Sequence, residues 1–123
     1  MSLKIHSIVN GKVPAEEIVW LNTDESVNLL GYAVVDRTFS NDKLSNEFRH
    51  IFVFPNLQVN KGDWVRLYTG NGAYSKSIAS NSEHVHNLFW GSSQCVWNNN
   101  RGDVASLIKY TLVNAVVVTK MAT

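Results

Sequence analysis

The stretch "DWVRLYT", Asp63 to Thr69, decides the fold class. Side chains on a β-strand point alternately to opposite faces, so Val65 and Leu67 share one face while Trp64, Arg66 and Tyr68 share the other. The aliphatic face is the core candidate. "EEIVWLN", Glu16 to Asn22, repeats the pattern, with Val19 and Leu21 opposed to Ile18 and Trp20. Both strands therefore carry large residues on a second face, which is either covered by another part of the chain or exposed for binding.

Outward from these two strands, short runs rich in Val, Ile, Phe, Tyr and Trp recur between Gly, Asn, Asp and Ser clusters, at roughly the 8 to 12 residue spacing of an all-β sandwich. Strands are expected near Leu3 to Val9, Glu17 to Asn22, Gly31 to Asp36, Phe48 to Phe54, Asp63 to Thr69, Asn87 to Trp90, Val104 to Lys109 and Val113 to Thr119. "CVWN", Cys95 to Asn98, is a candidate for a further short strand. Lys61-Gly62 and "TGNGAY" place glycines where turns need φ > 0, and Pro55 ends the strand before it by removing a donor. The Ser- and Asn-rich segment Ser75 to Asn87 is the longest expected loop. The expected core includes Val19, Leu21, Val34, Phe52, Val65, Leu67, Trp97 and Leu107.

A chain of 123 residues fits one domain, 1–123, and can bury a full hydrophobic core without staples. Its single cysteine, Cys95, cannot close an intrachain disulfide, and a small buried thiol is the expected role. Eleven Lys and Arg against ten Asp and Glu leave a net charge of +1 with the signs interspersed, so no electrostatic footprint for nucleic acid is visible. No signal-like or membrane-spanning apolar run occurs, the longest being Ala115 to Val118. A soluble domain without membrane insertion is expected, and its cellular location is open.

Three segments, "EEIVWLNTDESVNLLGYAVVD", "FVFPNLQVNKGDWVRLYTGNG" and "LFWGSSQCVWNNNRGDVASL", follow one another in an order that resembles the lamin tail domain. The resemblance covers about Lys4 to Val118. It implies an immunoglobulin-like, two-sheet antiparallel β-sandwich of the kind found at the tails of nuclear lamins and, in bacteria and archaea, alone or beside secreted nucleases and other hydrolases. Two departures stand out: Tyr32 replaces a common tryptophan, and "LIKYTLVN" lacks the Asp and Gly turn that usually separates the last two strands.

The resemblance also implies that Asn98, Asn99, Gly102 and Asp103 serve a structural bend, since Asn and Gly readily take left-handed conformations and Asp can satisfy loose backbone donors. Arg101-Gly102-Asp103 spells a cell-adhesion tripeptide, but average residue usage produces it by accident in about 2% of chains this long. A structural turn is the expected reading.

No catalytic set emerges. His84 and His86 are spaced like metal ligands on a strand, yet zinc needs a third or fourth ligand that no nearby residue supplies with recognisable spacing. They are expected to be solvated loop residues, and His6 and His50 to be isolated strand histidines satisfied by backbone carbonyls. Gly-x-Ser-x-Gly and phosphate-binding loops are absent. The carboxylate pairs Glu16-Glu17 and Asp24-Glu25 are expected at the surface. No cofactor and no metal are expected.

Trp20, Trp64, Arg66 and Tyr68 are the binding candidates, because Trp, Tyr and Arg dominate interface hot spots. The function expected is a non-catalytic interaction or scaffold module that binds a protein or larger assembly through a sheet face or loops. The alternative is a nucleic-acid or chromatin-binding accessory domain of a nuclease or other hydrolase. Balanced charge counts against that alternative.

Overall fold

The computed structural model describes residues 2–40, 43–79, 81–97 and 103–119, with backbone only for 38–40, 43–48 and 103. Among the described residues ten strands run in chain order: β1 (Leu3–Val9), β2 (Ile18–Thr23), β3 (Val27–Asn28), β4 (Tyr32–Ser40), β5 (Lys43–Val53), β6 (Gln58–Val59), β7 (Trp64–Tyr68), β8 (Ser75–Ile78), β9 (His84–Phe89) and β10 (Asp103–Lys109). A 3-10 turn, Pro14–Glu16, joins β1 to β2. The chain forms an all-β sandwich. One sheet has the order β1-β2-β7-β9-β8, the other β10-β4-β5, and β3 and β6 form a two-stranded ribbon.

The alternation of "DWVRLYT" and "EEIVWLN" places this core. Val19 pairs with Leu67 and Leu21 with Val65 across β2 and β7, and all four are buried with Leu88 of β9. Leu3, Leu29, Val34, Phe54, Val59, Val96 and Trp97 complete the same cluster. Of the expected core residues, Phe52 and Leu107 are half-buried and pack against its margin.

Several expectations are corrected. The pairing of β7 with β9 is parallel, whereas every other described pairing is antiparallel. Ser75 to Asn87 is not a loop: β8 and the start of β9 occupy most of it, joined by a short turn in which Ala79 N–H donates to Glu83 O and Ser82 N–H to Ala79 O. The Ser and Asn side chains that suggested a loop instead bond one another, Asn87 Nδ2 donating to Ser75 Oγ and Ser77 Oγ. Val113 to Thr119 is unpaired and exposed. A two-residue hairpin turn at Tyr110-Thr111 would require φ > 0 from an aromatic and a β-branched residue, which is strongly disfavoured.

Cys95 to Trp97 forms a bend rather than a strand. Glu17, expected at the surface, is fully buried, and its carboxylate accepts the N–H groups of Val96 (2.8 Å) and Trp97 (3.1 Å). Those donors are therefore unavailable to a neighbouring strand. Asn98, Asn99, Arg101 and Gly102 lie outside the described residues, and Asp103 opens β10.

Two glycines illustrate different requirements. Gly62 has φ +87° in the turn before β7, as its position after Lys61 predicts. Gly70 and Gly72 of "TGNGAY" have no positive φ. Gly72 is needed for space, since an added Cβ would lie 2.5 Å from the Phe89 ring.

Candidate functional site: the outer face of the five-stranded sheet

The inner residues of β2 and β7 turn Trp20, Trp64, Arg66 and Tyr68 outward together, and the strand register arranges them in rows. Asn22, Trp64 and Val85 lie side by side across β2, β7 and β9, then Trp20, Arg66 and Asn87, then Ile18, Tyr68 and Phe89. All four binding candidates are half-buried. The sequence reading thus brought together the right residues, and neither cover nor full exposure describes them.

Their side chains brace one another. Trp20 and Trp64 meet edge to face at 5.9 Å, and Tyr68 stacks on Phe89 at 5.0 Å with the rings nearly parallel. The Arg66 guanidinium lies 5.2 Å from the Trp20 ring centre and 5.3 Å from that of Tyr68, a cation–π arrangement on both sides. Its Nε donates to Asn87 Oδ1 at 2.7 Å. Among the described residues no carboxylate pairs with Arg66. Among the described residues only neutral groups position the cation, and none of them compensates its charge.

Sequence reasoning missed the rest of this face. The register of β1 against β2 shifts between Ile5 and Ser7, leaving His6 as an extra, bulged residue. Bulges re-aim a side chain, and the His6 ring stands edge-on to Trp64 at 5.0 Å. Its Nδ1 bonds Ser7 Oγ at 3.1 Å rather than a backbone carbonyl. Across the face, Glu83 Oε1 accepts from Trp64 Nε1 at 3.2 Å and from Asn81 Nδ2 at 2.5 Å, fixing the β8–β9 turn beside the indole. Between these walls runs an open groove of about 370 Å³ lined by His6, Ser7, Trp20, Trp64, Ala79, Asn81, Glu83 and Val85. A groove of this volume holds one or two side chains of a bound segment.

No protein-family model and no curated protein matches this chain.

The expected solvated histidines differ most from their sequence reading. His84 lies on β9 and is half-buried, with Nδ1 3.9 Å from Asp63 Oδ1. His86 is 3% exposed on the inner side of β9, level with Val65. A carboxylate can only accept, so His86 Nε2 donates to Asp63 Oδ2 (3.0 Å) and, in the neutral ring, Nδ1 accepts the Tyr74 hydroxyl hydrogen (2.9 Å). Both ring nitrogens are thereby engaged, and the groove lies on the opposite face of the sheet. The Asp63–His86–Tyr74 chain ties β7, β9 and the segment before β8 together. His50 likewise bonds a carboxylate instead of a carbonyl: its Nδ1 lies 3.0 Å from Oδ2 of the buried Asp36.

Burial alone would raise the Asp63 carboxyl, but the Asn60 N–H, the His86 hydrogen bond and the charges of His86 and His84 outweigh it and hold the group below its ordinary range. An acid whose pKa is lower in the folded state contributes stability that is fully present above its unfolded value, about 3.9. That contribution is lost as pH falls through the lowered folded value. Asp63→Asn is therefore expected to reduce the fall in urea midpoint between pH 5 and pH 2.5. Parallel acid titrations of the wild-type and variant midpoints check this, and identical pH dependence refutes the role of Asp63.

Proposed function

We propose that this domain is a non-catalytic, lamin-tail-like interaction module with an immunoglobulin-like arrangement of its sheets, which binds a protein segment on the outer face of the five-stranded sheet. The observation that carries this reading is the half-buried cluster of Trp20, Trp64, Tyr68 and an uncompensated Arg66 beside an open apolar groove. Trp, Tyr and Arg supply large contact areas at low entropic cost and dominate binding hot spots. The partner that fits is a segment placing an apolar side chain in the groove between His6, Trp20 and Trp64, and a carboxylate against Arg66.

A nucleic-acid accessory role would use the same rings for stacking. Phosphate contacts need clustered cations, and the net charge is +1 with interspersed signs.

Selection of a displayed random peptide library against the whole chain tests the reading. Trp64→Ala and Tyr68→Ala are each expected to weaken the selected peptides by more than about fivefold, the equivalent of about 1 kcal/mol for a hot-spot residue, while the unfolding midpoint shows that each variant still folds. Full affinity in both variants would move the binding site to the loops. Tighter, steeply salt-dependent binding of a single-stranded oligonucleotide would favour the accessory role. Turnover of nucleic acid, ester or glycan by metal-replete protein would refute the non-catalytic claim.

A further inference from the structure

The segment that follows β10 is the most strand-prone part of the chain left without a strand partner. Leu112, Val113, Val116, Val117 and Val118 are between 75% and 94% exposed, and β-branched residues in such density favour a pleated, half-buried setting. Immediately before them, β10 pairs along all seven residues with β4 and is the edge of its sheet, with no described strand hydrogen-bonded on its other side, where β1 of the facing sheet comes near it. Val104 to Ile108 are accordingly only half-buried. An unpaired strand edge and an unpaired strand-prone segment thus sit in tandem, separated by Tyr110-Thr111.

A two-residue hairpin within one chain is strongly disfavoured, for the reason already given: the turn would need φ > 0 at Tyr110 and Thr111. Tyr110 is also held to the far side, its N–H donating to Gly31 O at 2.8 Å, as if β10 continued past its end. Another molecule can relieve both exposures without that turn. Leu112 to Val118 matches β10 in length, residue for residue, and a two-fold axis beside Tyr110-Thr111 sets Lys109 opposite Leu112 and Asp103 opposite Val118.

We propose that two copies of this chain associate by exchanging these segments, Leu112 to Val118 of each adding antiparallel to the free edge of β10 in the other. The exchange is closed and self-complementary, so each copy donates one strand and receives one, and no edge of β10 remains. The two three-stranded sheets become one continuous sheet. Strand addition of this kind draws affinity from main-chain hydrogen bonds and specificity from alternate side chains. The β10 edge belongs to the other sheet from the Trp64 groove, so dimerisation leaves the proposed binding face free and its failure would not bear on that face.

Sedimentation equilibrium of the full chain is expected to give twice the monomer mass at micromolar concentration. Val116→Pro combined with Val117→Pro, at positions already exposed in the single copy, removes whichever of the two N–H groups faces β10 and forces a break in the added strand, and is expected to raise the dimer dissociation constant by at least about tenfold without moving the monomer's unfolding midpoint. A pair of cysteines, Ile108→Cys with Val113→Cys in a Cys95→Ser background, separates the arrangements, because these positions face each other both in the exchange and in an intrachain hairpin. A covalent dimer on oxidation supports the exchange. A disulfide confined to single chains, a chain that stays monomeric, or a dimer indifferent to the two prolines overturns it.

Discussion

Leu67→Ala is expected to destabilise the domain by about 2 to 5 kcal/mol, the range for emptying a large buried side chain whose surroundings collapse only partly. Leu67 is 0% exposed on β7, flanked by Val19 on β2 and Leu88 on β9, and belongs to the cluster that includes Phe54 and Trp97. With a typical urea dependence of about 1 to 3 kcal/mol per molar, the unfolding midpoint should fall by roughly 1 M or more. Leu107→Ala, at the half-buried margin of the core, should cost less. An unchanged midpoint for Leu67→Ala would mean that the aliphatic face of β7 is not the buried one, and with it the outward placement of Trp64, Arg66 and Tyr68 would fail.

That single alternation made most of the sandwich and the main binding candidates legible. Strict period-two patterning in β2 and β7 assigns faces without knowledge of the neighbours, and β1 and β10 follow from similar runs. What local pattern does not carry is pairing at a distance. Asp63 and His86 are 23 residues apart, and the Ser and Asn residues of 75–87 look solvated until the register sets Asn87 opposite Ser75. Phase alone could still have warned of the buried polar groups: Glu17 is in step with Val19 and Leu21, and His86 with Leu88. At both positions the period of the strand outweighs the acidic or imidazole character of the side chain, which hydrogen-bonded partners satisfy inside. At Val113 to Thr119 strand propensity and turn chemistry conflict: the β-branched residues favour a strand, but "LIKYTLVN" lacks the Asp and Gly turn that would fold it back on β10, and the segment stays unpaired.

The polar groups that were missed do similar work at separate places in the sandwich. Asp63 gathers Asn60 N–H and the two histidines of β9, Asp36 gathers His50 from β5, and Glu17 gathers the bend after β9. Each is a buried or nearly buried carboxylate, and each takes donors from a segment distant in sequence. Hydrophobic burial is non-directional, whereas these acceptors specify which loop or strand docks where. They give Glu17, Asp36, Asp63 and His86 a structural role inside the hydrophobic core.

Glu17→Ala tests the most demanding of them. The substitution removes the acceptor for both Val96 N–H and Trp97 N–H, and each buried donor left unpaired costs about 1 to 3 kcal/mol, so a loss of about 2 to 6 kcal/mol is expected. Glu17→Gln, which keeps one carbonyl oxygen but turns an amide toward the second donor, should fall between the variant and the wild type. Two local readouts separate this from a general loss of packing. Amide exchange at Val96 and Trp97 should accelerate more than at Leu67 or Val19. The Cys95 thiol, raised above its ordinary pKa by burial and then by the negative charge of Glu17, should ionise at lower pH in Glu17→Gln and react faster with a thiol reagent at fixed pH while the protein remains folded. A Glu17→Gln chain with wild-type stability, unaltered exchange at the two amides and unaltered Cys95 reactivity would show that the bend from Cys95 to Trp97 is held by the burial of Trp97 alone.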